Sequence, residues 1–240
     1  MIIYLISGSR SLSTALMYSF NQRSDTIVMD EPFYGIRLKK LGKRQPYFDE
    51  VMLRMECDDA KKIHDEIENN EKIKGNVFVK NMVDTVQDMK ENRLSKYRHI
   101  LLIRDPAETI ISLMRKTPTI TLDNLCLVDQ MKVYEWLKEN TEENPIVIDA
   151  NELRRDPATI LIKLCKILGL PYTSKMLSWP AGPKSIDGLW AQASYTDVHA
   201  STGFRPPTTT KITRDHIPSD LVSLYDDALP FYQKLLANSI

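Results

Sequence analysis

Residues 2–20, IIYLISGSRSLSTALMYSF, constrain the fold more than any other stretch. Ile2 to Ser7 is apolar without polar alternation, the pattern of a strand buried on both faces. The run stops at Gly8 and passes through a hydroxyl-rich turn. Leu12, Ala15, Leu16, Ser19 and Phe20 then follow at i, i+3, i+4, i+7, i+8 spacing, one face of a helix. Such a strand–loop–helix needs partner strands to bury its apolar run.

The chain supplies them. Thr26–Met29, Asn76–Lys80 (NVFVK), His99–Ile103 (HILLI) and Pro145–Asp149 (PIVID) predict further strands, with helical patterns between them. Alternation of this kind implies an α/β fold: a parallel central sheet with helices on both faces and a P-loop-like strand–loop–helix at its N-terminus. Residues 36–74 are polar, lysine-rich and predicted helical, and 83–96 predict a surface helix. Asp105 caps a helix that has Pro106 first and Glu108 third. Residues 123–139 predict another helix, Pro157–Leu168 one that ends at Gly169, and Asp220–Leu236 the last. Between 178 and 210 the chain holds Trp179, Trp190, Pro180, Pro183, Pro206, Pro207 and three glycines, which predicts an ordered, irregular, lid-like segment. The expectation is a single domain over residues 1–240.

Bulk charge narrows the partners. Lys+Arg 32 balances Asp+Glu 32, so no global basic field points to nucleic acid. No stretch approaches the roughly 20 apolar residues of a membrane span, and the N-terminal run is too short for a secretory signal. A cytoplasmic location is expected, with no membrane partner. Cys57, Cys126 and Cys165 are scattered and show no metal-ligand spacing, so they read as reduced thiols.

In an open parallel sheet, ligands bind beyond the carboxyl ends of the strands. Gly8–Thr14, Asp30-Glu31 and Arg104-Asp105 all fall at such ends. Gly8, Ser9, Arg10, Ser11, Leu12, Ser13 and Thr14 place backbone N–H groups, a guanidinium and hydroxyls at a helix N-terminus, which suits an anion. A nucleoside-triphosphate loop would read GxxxxGK[ST]. Counted from Gly8, Ser13 stands at the second Gly and Thr14 at the Lys, so that loop is not present. A plain strand–turn–helix with Ser/Thr caps is the simpler alternative. A second anion site is offered by Arg104 with Ser112, one helical face below the Asp105 cap; a surface ion pair of Arg104 with Asp105 or Glu108 is the alternative.

SRSLST at 9–14 together with RDPAETIIS at 104–112 resembles the sulfotransferase superfamily, whose donor is 3′-phosphoadenosine-5′-phosphosulfate. Asn151–Pro157 running on to Leu168-Gly169-Leu170-Pro171 is similar to its late strand–helix. GPKSIDGLW at 182–190, followed by STGF at 201–204, resembles a bacterial-type branch sometimes labelled aminotransferase-like. The resemblance covers about residues 1–34, 76–115 and 145–205. It implies that Arg10, Ser11, Ser13 and Thr14 hold the 5′-phosphosulfate, and Arg104 and Ser112 the 3′-phosphate. Two positions depart from the family pattern: Leu12 replaces a common glycine, and Arg10 stands where cytosolic enzymes have Lys.

Sulfuryl transfer also needs a general base for the acceptor. Many family members place a His after a strand ending in Lys, but here Val79-Lys80-Asn81-Met82 has none. Glu31 in DEPF resembles the Glu-Pro of carbohydrate-type branches and is the candidate base; a turn cap, or a pair of Asp30 or Glu31 with Arg10, is the alternative. His199 is the rival base, and Lys80 is expected to contact donor or acceptor. Lys184, Ser201, Thr202 and Gly203 are expected to cover the donor, with Trp190 or Phe204 as an aromatic surface. Trp179 and Trp190 are equally explained as anchors of the loop. The expected activity is sulfuryl transfer to a hydroxyl or amine of a small molecule, leaving 3′,5′-bisphosphoadenosine and using no metal. A small-molecule kinase, or a catalytically silent nucleotide-binding protein, are the alternatives. Residues 36–74 and 115–125 are expected to shape the acceptor pocket. Nothing in the sequence sets the oligomeric state.

Overall fold

The structure is a computed structural model that describes residues 1–42, 47–86, 93–115, 117–207 and 210–240. Among them, five parallel strands form one sheet in the order β2-β3-β1-β4-β5. They are β1 (Ile2–Ser7), β2 (Thr26–Asp30), β3 (Asn76–Met82), β4 (Arg98–Ile103) and β5 (Ile146–Asp149). The central strand β1 pairs with β3 from Ile2↔Val77 to Ser7↔Met82 and with β4 from Ile3↔Arg98 to Ser7↔Leu102.

Successive side chains of a strand face opposite sides, which explains why β1 is apolar throughout. Ile2, Tyr4 and Ile6 belong to one core, Ile3 and Leu5 to the other. The first core is covered by α4 (Ala60–Lys74), α7 (Leu127–Asn140) and α12 (Val222–Leu236), through Ile63, Ile67, Leu137 and Leu235. The second is covered by α1 (Ser13–Phe20) and α9 (Pro157–Leu168), through Leu16, Phe20, Leu161 and Leu164. Trp179, Trp190 and Tyr195 close that layer. The α/β architecture with both faces covered is as the sequence predicts.

Several boundaries differ. The helical stretch expected at 36–74 is three helices: α2 (Tyr34–Leu41), α3 (Phe48–Arg54) and α4. Gly42 in the left-handed region ends α2, and Asp59 starts α4 by accepting from the Lys61 N–H. The surface helix expected at 83–96 falls partly on 87–92, outside the described residues; its described ends are single 3₁₀ turns at Val83–Thr85 and Leu94–Lys96. The helix expected at 123–139 is α6 (Leu122–Leu125) and α7, separated by Cys126 at φ 63.

At the carboxyl edge of the sheet, α5 (Pro106–Leu113) follows β4, with Asp105 accepting from the Ala107 N–H at 2.8 Å. Helix α8 (Ala150–Arg155) follows β5 in the same way, its Asp149 cap accepting from Asn151 and Glu152. Residues 178–207 cross this edge as a covering segment. It carries α10 (Ala191–Ser194) and α11 (Thr196–His199) and closes on itself through a bridge between Ser178 and Gly203. No helix among the described residues is long and apolar enough to cross a membrane.

Candidate active site

The strand ends open on one cavity of about 600 Å³. Gly8 to Thr14, Glu31, Lys80, Arg104, Ser112, Ser201 and Gly203 all line it. Residues separated by up to 195 positions are therefore neighbours. Lys184 and Thr202 are not on its wall. The Lys184 ammonium donates to the Gly182 carbonyl and lies 5.1 Å from the Tyr18 ring, while the Thr202 carbonyl accepts from the Trp179 N–H at 3.0 Å. His199 is also off the wall, paired with Asp187 at 2.9 Å.

The loop after β1 has the form of an anion cradle. Arg10 and Leu12 have φ of 60 and 75, in the left-handed region that side chains rarely adopt. The Ser11 hydroxyl donates to the Gly8 carbonyl at 2.7 Å and fixes the turn. Gly8 suits a close approach, since a Cβ there would meet the Cys126 Cβ at 3.0 Å. No side chain caps α1, so its first-turn N–H groups have no intrahelical or capping acceptor. Backbone strain of this kind collects at functional sites.

Around that cradle stand guanidinium groups. Arg10 donates from Nε to the Ser112 hydroxyl at 2.9 Å and from Nη2 to Asp197 at 3.0 Å. Arg104 donates to the Arg10 carbonyl at 2.5 Å and to Glu108 at 3.0 Å. Burial holds the Arg104 pKa below its ordinary value, although Glu108 opposes the effect. Arg154 lies 3.7 Å from the same Glu108 and donates to the carbonyls of Arg205 and Pro206. Two guanidiniums thus share one carboxylate. Arg205 also lines the cavity. Cations in excess over carboxylates, with hydroxyls and helix N–H groups beside them, fit a ligand bearing two phosphates.

The other half of the cavity is a buried polar cluster. Lys80 on β3 donates to Asp30 at 2.8 Å, to Glu31 at 2.5 Å and to the Tyr195 hydroxyl at 2.8 Å. Tyr195 donates to Asp30 at 2.8 Å and accepts from the Trp190 indole at 3.3 Å. Asp30 also accepts from the Gly188 N–H at 2.9 Å. Glu31 has φ 45, held by a bond from its N–H to the Lys80 carbonyl at 2.7 Å. Burial raises the Glu31 pKa; Lys80 opposes the rise and Asp30 adds to it, leaving the carboxyl above its ordinary value. Burial also penalises the Lys80 charge, but Asp30 and Glu31 outweigh it and keep the ammonium well above its ordinary pKa.

Sequence reasoning weighed Asp30 or Glu31 as partners of Arg10; both pair with Lys80 instead. It did not find Tyr195, Asp197, Arg154, Arg205 or Arg37, all of which line the cavity. No local pattern marks Tyr195 or Asp197, because long-range packing of the covering segment brings them in. Arg154 follows β5 at a strand's carboxyl end, a signal that could have singled it out. Trp179 is an anchor: it is buried, donates to the Ser201 hydroxyl at 3.3 Å and meets Phe204 edge-on at 5.2 Å.

The sulfotransferase domain model matches residues 1–239. The chain belongs to the sulfotransferase domain family. Among curated proteins, this sulfotransferase domain is 39% identical to branched-chain-amino-acid aminotransferase-like protein 1 of Arabidopsis thaliana over 234 residues, 98% of the chain and 41% of that protein. It is 37% identical to protein 2 of the same name and organism, again over 98% of the chain and 41% of the relative. The chain therefore spans about 41% of the length of these curated relatives. Among solved structures, a sulfotransferase from Alicyclobacillus acidocaldarius superposes with a TM-score of 0.55 at 12% identity, over 99% of this chain and 96% of that one. The sulfotransferase domain of the curacin biosynthetic pathway gives 0.52 at 17% identity, over 98% and 96%. The domain from the Synechococcus PCC 7002 olefin synthase gives 0.52 at 13%, over 94% and 93%. At these identities the structural likeness concerns the fold alone. Among the described residues, no group of three or more His, Cys, Asp or Glu side chains is arranged to hold a metal.

Proposed function

We propose that this sulfotransferase domain moves a sulfuryl group from 3′-phosphoadenosine-5′-phosphosulfate to a hydroxyl or amine of a small molecule. The observation that carries the proposal is the division of one cavity into a guanidinium-rich half and a half where a buried glutamate keeps one oxygen free. The donor supplies an activated sulfuryl group on a phosphate leaving group. Arg10, the hydroxyls of Ser13 and Thr14 and the first N–H groups of α1 would hold the 5′ end. Arg104 and Ser112 would hold the 3′-phosphate, with Arg154 and Arg205 adding positive charge. Donors fixed before the reaction stabilise charge that develops on the leaving group.

Glu31 would take the acceptor proton. Its Oε1 is occupied by Lys80, and its Oε2 has no hydrogen-bond partner among the described residues while the residue lines the cavity. A carboxyl raised above its ordinary pKa is a better-matched base near neutral pH. The acceptor pocket would lie beside it, where Tyr34, Arg37, Met82, Leu113, Arg115 and Thr117 complete the wall. Arg37, Arg115 and Thr117 come from the two segments the sequence set aside for the acceptor.

Incubation with radiolabelled donor and a panel of alcohols, phenols and amines tests the function. A labelled product is expected from the native protein and at most about one per cent of it from Glu31→Gln, with 3′,5′-bisphosphoadenosine still bound by both. Transfer by Glu31→Gln at the native rate would remove Glu31 from the role of base. No product and no bisphosphate binding would remove sulfuryl transfer altogether.

A further inference from the structure

We propose that Asp30, Lys80 and Tyr195 are positioning residues that close one oxygen of Glu31 and leave the other open, so that docking of the covering segment completes the base. The proposal rests on the role given to Glu31 above. It deepens that role by assigning three residues that act through Glu31.

The hydrogen-bond inventory of the cluster is closed at every atom but one. A lysine ammonium has three N–H donors, and Lys80 spends all three, on Asp30, Glu31 and Tyr195. A tyrosine hydroxyl donates once and accepts twice; Tyr195 donates to Asp30 and accepts from Lys80 and from Trp190. Asp30 accepts from Lys80 at Oδ1 and from Tyr195 and the Gly188 N–H at Oδ2. The opening is Glu31 Oε2. Lys80 therefore cannot reach the donor without abandoning a buried acceptor, which costs the desolvation of that group. Its role runs through Glu31.

The long-range geometry makes this a coupling and not only a local brace. Asp30 ends β2 and Lys80 lies on β3, in register with it. Tyr195, Trp190 and Gly188 come from the covering segment and grip Asp30 and Lys80 from above. Trp190 in turn packs on Tyr34 of α2, with ring centroids 4.1 Å apart. With the segment undocked, Lys80 would lose one acceptor and Asp30 two donors, and nothing would hold the Glu31 carboxylate in one orientation.

Charged and titratable groups face Glu31 from every side: Asp30 on β2, Lys80 on β3, Tyr34 and Arg37 on α2, and Tyr195 from above. Arg37 is itself tied to Asp84 at 2.5 Å. Asp30 and Lys80 act on Glu31 with opposite signs, which separates positioning from a general structural role. Glu31 accepts a proton only when ionised, so turnover is lost as pH falls through its pKa. Removing the negative charge of Asp30 lowers that pKa and moves the acid limb to lower pH. Removing the positive charge of Lys80 raises it and moves the limb to higher pH.

The test reads Glu31 directly by carbon NMR of side-chain-labelled glutamate, assigned by the signal lost in Glu31→Gln, beside the pH profile of sulfuryl transfer. Asp30→Asn should shift the Glu31 midpoint down by about one unit, and Lys80→Met should shift it up by about one unit or more. Tyr195→Phe keeps the ring and should lower kcat about ten- to a hundredfold, with the bisphosphate Kd unchanged. Thermal unfolding and bisphosphate binding establish that each variant folds. Should Lys80→Met not fold, the sign for Asp30→Asn and the kcat of Tyr195→Phe decide alone. Shifts of equal sign, no shift, or native kcat in Tyr195→Phe would overturn the proposal. Opposite NMR shifts without any sulfuryl product would uphold the brace while removing the proposed function. Product formed with native pH profiles in both charge variants would uphold the function while removing the brace.

Discussion

The two halves of the cavity are built on opposite principles. On the guanidinium side, long arginine side chains share too few carboxylates: Glu108 serves both Arg104 and Arg154, and Asp197, which holds Arg10, is mostly solvent-exposed. On the carboxylate side, Asp30, Glu31, Lys80 and Tyr195 are buried and paired almost to saturation. The first half is poised to exchange weak partners for a ligand. The second is poised not to move. Loss of one member should accordingly be graded in the first half and severe in the second, because a buried charge left unpaired costs far more than an exposed one.

The severe end is Glu31→Gln, which keeps shape and removes the proton acceptor. Turnover should fall about a hundred- to ten-thousandfold, while calorimetry shows unchanged bisphosphate affinity; parallel loss of binding would merge the two halves into one. Next comes Arg104→Met, which leaves Arg154 and Glu108 paired and removes charge-assisted bonds. Its bisphosphate Kd should rise about ten- to a hundredfold, with kcat at saturating donor nearly native. A fall in kcat alone would place Arg104 in the chemical half.

A smaller effect of opposite sign is expected for Asp197→Asn. Arg10 need no longer leave a carboxylate to meet an anion, so bisphosphate should bind up to about fivefold tighter. Weaker binding would make Asp197 a ligand-contacting residue and not a competitor. The smallest effect belongs to Leu12→Gly. Relief of a left-handed residue stabilises by about 1 kcal/mol, and loss of the Leu12 contacts with the second core offsets it by a similar amount. The unfolding midpoint should stay within about 4 °C of native, with donor affinity retained.

That last residue shows what the sequence could and could not convey. The turn, the strand before it and the helix after it were all legible, because period and punctuation are local. Leu12 stood out only as a departure from a family glycine; its φ of 75 supplies the physical reason a glycine suits that position. Arg104 and Ser112 were legible as a pair, one at a strand end and the other on the face of the helix that follows it. Arg104 takes Glu108, the alternative partner its sequence spacing offers, whereas the contact of Arg10 with Ser112 follows from how β1 and β4 lie side by side. Lys80 was legible as a strand end, but its saturation by Asp30, Glu31 and Tyr195 was not. Tyr195 lies 164 residues beyond Glu31 in a segment without periodicity, and only tertiary packing brings them together. Lys184 illustrates the converse: the sequence expects it to cover the donor, yet its ammonium turns to Gly182 and Tyr18.

The claim that one cavity holds two phosphates against a loop without the triphosphate lysine is tested most directly by calorimetry. In magnesium-free buffer, 3′,5′-bisphosphoadenosine should bind the native protein with one-to-one stoichiometry and bind Arg104→Met more weakly, while ATP with magnesium gives no comparable heat. Tight binding of magnesium-ATP with no measurable affinity for the bisphosphate would contradict it.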